Sequence, residues 1–331
     1  MRNLGTSFRQ LRLDRHLTLQ QVADDQCSLA FVSKFERGER AIGFTRLWHL
    51  LDRINVAPEE FFQVVSPTPT IGVQETAELA DLASLTTPYA ALAMQLVASI
   101  AQNTSNSSAV TPAALTAMAQ IGEATLQADG GNARWQQFLS IMRQIGVLIV
   151  KNNQQNDPQQ DAELFMTIDR LSQPVVAYLF TLEQWGIFEF TLLRLFATAL
   201  SAETLYRLVK LAVARSQALR QLPQGQALVM AVLQGAVSKF INTKHFDWAQ
   251  AALAWRQQLT PADGVRWALE SRFLQGWVQL AQGDATGESL CLTVIAMLET
   301  LGLQVAAKRW RRRFKAIQRS IADPEHWAVY L

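Results

Sequence analysis

The segment Thr18–Gly38 constrains the fold of this chain more than any other stretch. Thr18 and Gln21 have the spacing of a capping box, and Ser28 is a suitable cap for a second helix. Gly38 is a typical residue for ending that helix. The pattern predicts two short helices joined by a tight turn, which is a helix-turn-helix whose second helix enters the major groove of DNA.

Three more helices are predicted around this pair. Residues 1–15 carry apolar side chains at i, i+4 and i+7. Further helices are predicted over 42–51, with Thr45 as a cap, and over 57–62, where a proline occupies the first turn. The expected unit is a compact five-helix domain that ends near Val65.

The second helix of the pair would face the core with Val32 and Phe35, so its other residues are the candidates for DNA contact. Ala30 suits a thymine methyl, Ser33 offers a hydroxyl donor and acceptor, and Lys34 reaches a guanine or a phosphate. The arginines that follow the helix are placed for phosphates. The predicted DNA-binding residues are Thr18, Gln20, Ser28, Leu29, Ala30, Ser33, Lys34, Arg37 and Arg40.

Some residues of this segment allow two interpretations. Leu29 and Phe31 lie either at the groove or in the core, and Cys27 is either a small buried residue or an exposed redox switch. Glu36 is expected to bond within the domain.

The charge of this region is modest. Residues 1–46 contain eight Lys or Arg and five Asp or Glu, whereas the whole chain has a net charge of +2. Nonspecific DNA affinity should therefore be weak, so that a homodimer is needed for tight binding.

Two motifs resemble a known family. The pattern SxxxxSKFERG at Ser28–Gly38, followed by Leu50–Phe62, resembles the DNA-binding domain of the Rgg/GadR/MutR regulators, transcription factors of Gram-positive bacteria. The stretch YLFTLEQWGIFE at Tyr178–Glu189 is similar to a second signature of that family, in the right order along the chain. The resemblance implies an N-terminal domain that binds a double-stranded promoter operator. It also implies a C-terminal helical-repeat domain that forms a dimer and binds a short peptide pheromone.

The remainder of the chain is predicted to be helical throughout. A linker is expected at 66–72, where two prolines occur, and polar breaks are expected at 102–108, 128–132 and 151–158. Beyond these, helices are expected near 161–171 and from Pro174 to Gln184, and then from Phe188 to Leu200. The expected domains are 1–65 for DNA binding, 66–72 as linker and 73–331 for ligand binding and dimerisation.

Two turns indicate repeated helix pairs. Asn242–Ala249 and Leu280–Asp284 each end one helix and begin another, about 40 residues apart. The predicted fold class is therefore all-α, with a five-helix lambda-repressor-like helix-turn-helix domain followed by a tetratricopeptide-like helical-repeat domain. The basic segment Lys308–Arg319 is predicted to be an amphipathic capping or dimer-contact helix, with a solvated charge run or a second DNA contact as alternatives.

A stack of helix pairs offers a concave face that suits an extended peptide. Polar residues on the inner helices are candidate peptide contacts: Arg194, Arg207, Gln234, Lys239 and Asn242. Salt bridges within the repeats explain these residues equally well. The Ala-rich region 73–130 departs from the family pattern.

The sequence contains no recognisable catalytic or metal-binding motif, so we expect neither an enzyme nor a cofactor. Two cysteines, no secretory segment and no long apolar run are typical of a cytoplasmic protein without a membrane anchor. The chain is thus predicted to be a peptide-controlled transcription regulator. A regulator without a peptide ligand and a helical scaffold for a protein partner are the alternatives.

Overall fold

The computed structural model describes residues 3–65, 88–105, 111–128, 133–152, 158–222 and 225–322, and within these ranges all regular structure is helical. The chain divides into two compact units, Met1–Gly72 and Val73–Leu331. The linker predicted at 66–72 lies outside the described residues, as do most residues of the polar breaks.

The first unit contains five helices, as the sequence predicts. They are α1 (Leu4–Asp14), α2 (Leu19–Val22), α3 (Leu29–Glu36), α4 (Phe44–Arg53) and α5 (Pro58–Val65). The capping box at Thr18 and the cap at Ser28 are confirmed, and Gly38 adopts a left-handed φ of 77° after α3. The cap predicted at Thr45 is wrong, because the N-cap of α4 is Gly43, two residues earlier, and Thr45 lies inside the helix. Helix α5 also runs three residues beyond its predicted end.

Each helix of the first unit contributes to one apolar core. Phe8, Val22, Val32, Leu50 and Phe61 come from the five different helices and are fully buried. Because short helices are unstable alone in water, this shared core is what keeps α2 and α3 folded.

A buried ion pair links α1 to α3, the second helix of the helix-turn-helix. The Arg12 guanidinium donates from Nε and Nη2 to the two carboxylate oxygens of Glu36, at 2.6 and 2.8 Å, and from Nη1 to the Leu17 carbonyl oxygen. Both side chains are almost fully buried. The expected structural role of Glu36 is confirmed, and the fork geometry of the guanidinium sets the orientation of α3 against α1.

The second unit contains twelve α-helices in its described residues. They are α6 (Pro88–Ser105), α7 (Pro112–Ala119), α8 (Glu123–Leu126), α9 (Ala133–Asn152), α10 (Pro158–Thr181), α11 (Ile187–Phe196), α12 (Ala202–Ala214), α13 (Gly225–Asn242), α14 (Phe246–Leu259), α15 (Val265–Ala281), α16 (Thr286–Thr300) and α17 (Gln304–Ala322).

Helix α10 corrects one prediction. The sequence predicts a break between Leu171 and Pro174, but α10 is continuous through the proline. Pro174 lies on the exposed side of the helix, so the carbonyl that loses its backbone donor can be hydrated, while Val175 and Leu179 continue the buried stripe. The polar break predicted from 102 is likewise wrong up to Ser105, which is still helical.

From α11 onward the helices form two layers. Helices α11, α13, α15 and α17 follow one another in the first layer, and α12, α14 and α16 form the second. The turns predicted after Asn242 and after Leu280 are confirmed, since α13 ends at Asn242 and α15 ends at Ala281. The amphipathic stripe predicted in the C-terminal helix is also confirmed, because Trp310 and Ile317 are buried.

No described helix is both long and apolar enough to cross a membrane. The described ranges also contain no group of three or more His, Cys, Asp or Glu side chains able to hold a metal ion.

Breaking the buried pair from one side should destabilise the first unit strongly. We expect Arg12→Met to lower the free energy of unfolding by about 3–5 kcal/mol, because it leaves the Glu36 carboxylate buried without its partner. Urea denaturation of the full chain, followed by circular dichroism, measures this. Arg15→Met is the matched control, since Arg15 pairs with the exposed Glu60 and should contribute at most about 1 kcal/mol. Equal losses in the two variants would contradict the role given to Arg12.

Candidate functional site

The outward side of α3 is the candidate DNA interface. Leu29 is 47% exposed, and Ala30 and Lys34 are also exposed, whereas Val32 and Phe35 pack in the core. Ser33 is half-buried at the edge of this outward side. The structure thus places the predicted contact residues of α3 on the side of the helix that does not face the core.

The end of this helix carries an internal ion pair. The Arg37 guanidinium donates to both carboxylate oxygens of Glu39, at 2.6 and 2.8 Å, and to the Ser33 hydroxyl at 2.7 Å. Arg37 and Glu39 are both exposed, so a phosphate could exchange with the carboxylate at little cost. Arg37 is therefore held in place at the rim of the interface.

Phe31 lies at the border between the core and the surface of the first unit. Its ring is half-buried against the core of the first unit. The guanidinium of Arg40 lies 5.7 Å and that of Arg46 lies 5.1 Å from the ring centroid. The ring therefore supports two cations beside α3. Arg46, on α4, is missing from the predicted contacts, and its positive charge was the only signal for it in the sequence.

The turn between α2 and α3 is anchored by Asp24. One carboxylate oxygen accepts from the backbone N–H groups of Gln26 and Cys27, and the other lies 2.5 Å from His49 Nε2. The backbone N–H of Cys27 and the side chain of His49 hold the pKa of Asp24 below its usual value. Arg53 donates to the Gln21 carbonyl at the end of α2. Helix α4 thus positions α2 and α3 through His49 and Arg53. The spacing of residues in the sequence did not show these contacts.

Cys27 is 1% exposed in the core beside this turn. Burial raises the pKa of its thiol, which disfavours the reactive thiolate. The structure supports the small buried residue rather than the redox switch.

The second family signature, Tyr178–Glu189, forms a set of hydrogen bonds that joins the end of α10 to the start of α11. The Tyr178 hydroxyl donates to Glu189 at 2.6 Å, and Glu189 accepts from the backbone N–H of Gly186 at 2.7 Å. The Trp185 indole N–H donates to the Leu179 carbonyl. Burial and the Glu189 carboxylate raise the pKa of Tyr178 to about 12. These contacts set the angle at which α11 enters the layered stack.

Helix α13 presents one open stripe in an otherwise buried helix. Ala227, Ala231, Gly235 and Asn242 are half-buried along one side of the helix, and nearly all of its other residues are buried. A Cβ atom added at Gly235 would meet no atom within 4 Å. Because α12 and α14 cover α13 from the second layer, the stripe faces away from that layer.

The structure brings three predicted peptide contacts to this stripe. Gln234 and Lys239 are only 8% and 7% exposed at its two edges, and Asn242 lies at its end. Lys239 Nζ donates to the carbonyl oxygen of Thr198, which lies between α11 and α12, at 2.9 Å. The side-chain amide of Asn242 donates to the Ser238 carbonyl oxygen. Burial lowers the pKa of Lys239 to about 8.

Lys239 also borders a cleft of about 620 Å³ at the end of α13. Phe165 and Met166 of α10 line its other wall and are 55% and 66% exposed. Asp169, Arg170 and Ser201 add polar groups to the lining. The combination of an exposed apolar wall with a few polar groups, at this volume, is typical of a ligand site.

The other two predicted contacts lie apart from the stripe. Arg194 is half-buried on α11, the neighbouring helix of the first layer. Arg207 is exposed on α12, and its guanidinium lies 5.5 Å from the Phe180 ring. Helix α12 belongs to the second layer, so Arg207 lies apart from the open stripe of α13.

The described units define a class of protein. A helix-turn-helix whose second helix has an exposed side is followed by layered helix pairs, so the chain combines a DNA-binding fold with a helical-repeat region.

Comparison with known proteins identifies the family. The family description "HTH-type transcriptional regulator Rgg, C-terminal domain" matches residues 148–312, about half of the chain. No curated protein matches the chain significantly. The chain belongs to the Rgg family of transcriptional regulators, and it is therefore a regulator rather than an enzyme.

Solved structures share the fold at low sequence identity. The Streptococcus dysgalactiae SHP pheromone receptor Rgg2 is 19% identical, with a TM-score of 0.60, over 94% of this chain and 98% of that chain. The PrgX/cCF10 complex is 12% identical, with a TM-score of 0.58, over 98% and 94% of the two chains. A bacterial peptide pheromone/receptor complex is 12% identical, with a TM-score of 0.61, over 98% and 99%.

Replacing Lys239 with methionine should stabilise the chain at neutral pH. The folded-state pKa of about 8 lies below the ordinary value of 10.5, so the unfolded state binds more protons between these values. At pH 7 the buried charge costs up to about 3 kcal/mol, reduced by the hydrogen bond to Thr198 that methionine cannot make. The advantage of Lys239→Met should shrink by about 1.4 kcal/mol per pH unit above pH 8. Urea denaturation at pH 7 and pH 9.5 tests this, and a pH-independent difference would contradict it.

Proposed function

We propose that this chain binds operator DNA in a sequence-specific manner through α3 of its first unit. The observation that carries the proposal is the outward side of α3, where Ala30 and Lys34 are exposed and Ser33 is half-buried at the edge. A helix held in this way can enter the major groove and present short side chains to base edges. Arg37, Arg40 and Arg46 surround it with cations for the phosphates, which fix the register.

The regulator acts as a homodimer in this proposal. The first unit has little excess charge, so one copy would bind DNA weakly and two copies on paired half-sites would bind tightly. Exposed apolar side chains around the turn between α16 and α17 offer a surface for a second copy: Met297, Leu301, Leu303 and Val305.

The double variant Lys34→Ala/Arg37→Ala should abolish the preference for operator DNA and leave the helical circular dichroism spectrum unchanged. Fluorescence anisotropy on the DNA upstream of the gene and on a scrambled duplex, at two salt concentrations, measures the preference. Glu39→Gln should instead raise the affinity for both duplexes, because it frees Arg37 for a phosphate. Lys210→Ala/Lys244→Ala, which removes two exposed cations of the second unit, is the control. Unchanged discrimination in the Lys34/Arg37 variant would refute the assignment of α3.

We also propose that the second unit binds a short linear peptide along the open stripe of α13, with one peptide end in the cleft at Lys239. Ala231 has a small side chain and Gly235 has none, so the main chain of an extended peptide can approach the helix closely. Gln234 and Asn242 can pair with its amide groups. Similarity of fold to a bacterial peptide pheromone/receptor complex and to the PrgX/cCF10 complex supports this choice of ligand.

The cleft suits the end of such a peptide. Phe165 and Met166 offer apolar contact, and Lys239 and Arg170 offer cations that attract a C-terminal carboxylate. A peptide bound across α10 and α13 would bias the relative position of these helices. Because a ligand shifts an equilibrium only by its differential affinity for two states, this bias is the route to control of DNA binding.

Blocking the stripe should abolish peptide binding without unfolding the chain. Gly235→Trp fills the open space beside α13, where even a Cβ meets no neighbour. The expected result is a reduction of at least about tenfold in affinity for the fluorescent peptide that binds wild type, chosen from synthetic peptides encoded by short reading frames next to the gene. Gly235→Ala should raise helix stability by about 0.5–1 kcal/mol and bind almost normally.

Ala254→Trp adds the same bulk to an exposed position of α14, in the other layer, and should leave binding intact. Retained affinity in Gly235→Trp would exclude the stripe as the peptide path. Failure of wild type to bind any encoded peptide would favour a regulator without a peptide ligand.

A further inference from the structure

The last helix of the described residues, α17, carries an unbalanced positive charge. Between Gln304 and Ala322, α17 contains seven Lys or Arg and no Asp or Glu. The net charge of the whole chain is only +2, so the remaining residues are together negative. A helix that closes a repeat stack needs a polar outer face, but mixed charges meet that need equally well. The single sign of these charges calls for another explanation.

The cations of α17 are ordered on one side of the helix. Lys308, Lys315 and Arg319 are exposed within a narrow arc, and Arg311 and Arg312 flank it on either side. From the first to the last of these residues, at 1.5 Å per residue, the row is about 16 Å long. On the opposite side of α17, three apolar residues are buried in the stack: Trp310, Phe314 and Ile317. Packing of that stripe holds the basic row rigidly toward solvent.

Carboxylates of α16 border this face on one edge. Glu299 accepts from Arg311 at 2.6 Å, and Glu288 accepts from the side-chain amide of Gln318 at 3.3 Å. Both of these acids reach the same edge of the helix, beside the arc that holds Lys308, Lys315 and Arg319. These two carboxylates therefore do not reach the centre of the face, which is formed by Lys308, Lys315 and Arg319.

We propose that the outer face of α17, centred on Lys308, Lys315 and Arg319, binds the phosphate backbone of duplex DNA. Duplex DNA carries a negative charge about every 1.7 Å of its axis, so a straight row of cations matches it over several phosphates. Such contacts are independent of sequence and add affinity without selecting the site. This inference rests on the proposed function, because operator binding by α3 is what brings DNA to the protein.

The chemistry of the face favours DNA over an anionic membrane. An amphipathic helix binds a membrane by burying its apolar side among the lipids. In α17 the central apolar residues, Trp310 and Phe314, are only 6% exposed because they pack within the protein. The face that remains is charged, and it binds through charge alone.

The test is the salt dependence of binding to a random-sequence duplex, measured by fluorescence anisotropy on the full chain. The variant Lys308→Gln/Lys315→Gln/Arg319→Gln should reduce the slope of log affinity against log salt by about 0.9 for each phosphate that is no longer neutralised. The matched control, Lys210→Gln/Lys244→Gln/Arg266→Gln, removes the same charge from exposed positions of α12, the α13–α14 turn and α15. It should leave the slope nearly unchanged. Equal slopes in the two variants would overturn the proposal.

Two further measurements separate the ways in which the two proposals could fail. The α17 variant should still prefer operator to scrambled DNA, whereas Lys34→Ala/Arg37→Ala should abolish that preference and keep most of the α17-dependent salt slope. Intact discrimination with an unchanged α17 slope would refute this inference and leave the proposed function standing. Anionic vesicles of phosphatidylserine and phosphatidylcholine should not retain wild-type protein in the presence of duplex DNA. Retention that depends on the three α17 cations and resists DNA would assign the face to membranes instead.

Discussion

Helix α13 is the element on which the second unit depends. It packs against helices of its own layer and of the second layer, so that most of its residues are buried. A helix with apolar residues on most sides cannot remain in water, and its neighbours are therefore needed for it to fold. The same packing leaves one stripe uncovered, at Ala231 and Gly235. The site proposed for a peptide is thus the uncovered side of a helix that is otherwise packed against its neighbours, so little rearrangement is needed to form it.

In the first unit, a buried ion pair holds the short helix α3 in place. Helices α2 and α3 are too short to be stable by themselves, and α3 must keep its outward side free for DNA. Glu36 gives α3 a specific attachment to Arg12, while Asp24, His49 and Arg53 attach the preceding turn to α4. Such polar attachments are directional, so they fix the rotation of α3 in a way that apolar packing alone does not.

Charge is divided between the two ends of the chain. Four cations of the first unit lie on or near α3, namely Lys34, Arg37, Arg40 and Arg46, and Phe31 supports the last two. The second unit has a dense group of cations on α17. They lie on the side of the helix opposite its buried apolar stripe. Sequence recognition and general attraction to phosphates are different physical tasks, because base edges require specific hydrogen bonds and phosphates require only positive charge. Two separate surfaces can therefore perform them.

Local signals in the sequence determined the helical class, the caps at Thr18 and Ser28, and the turns that pair the later helices. These features depend on neighbouring residues, so periodicity and capping chemistry are sufficient to predict them. Tertiary structure decided the rest. Pro174 remains inside α10 because it lies on the exposed side of the helix, and Arg207 lies apart from the stripe of α13 because α12 packs in the second layer. The partners of Arg12 and Lys239 are 24 and 41 residues away, and contacts at that range depend on how the helices pack rather than on the local sequence.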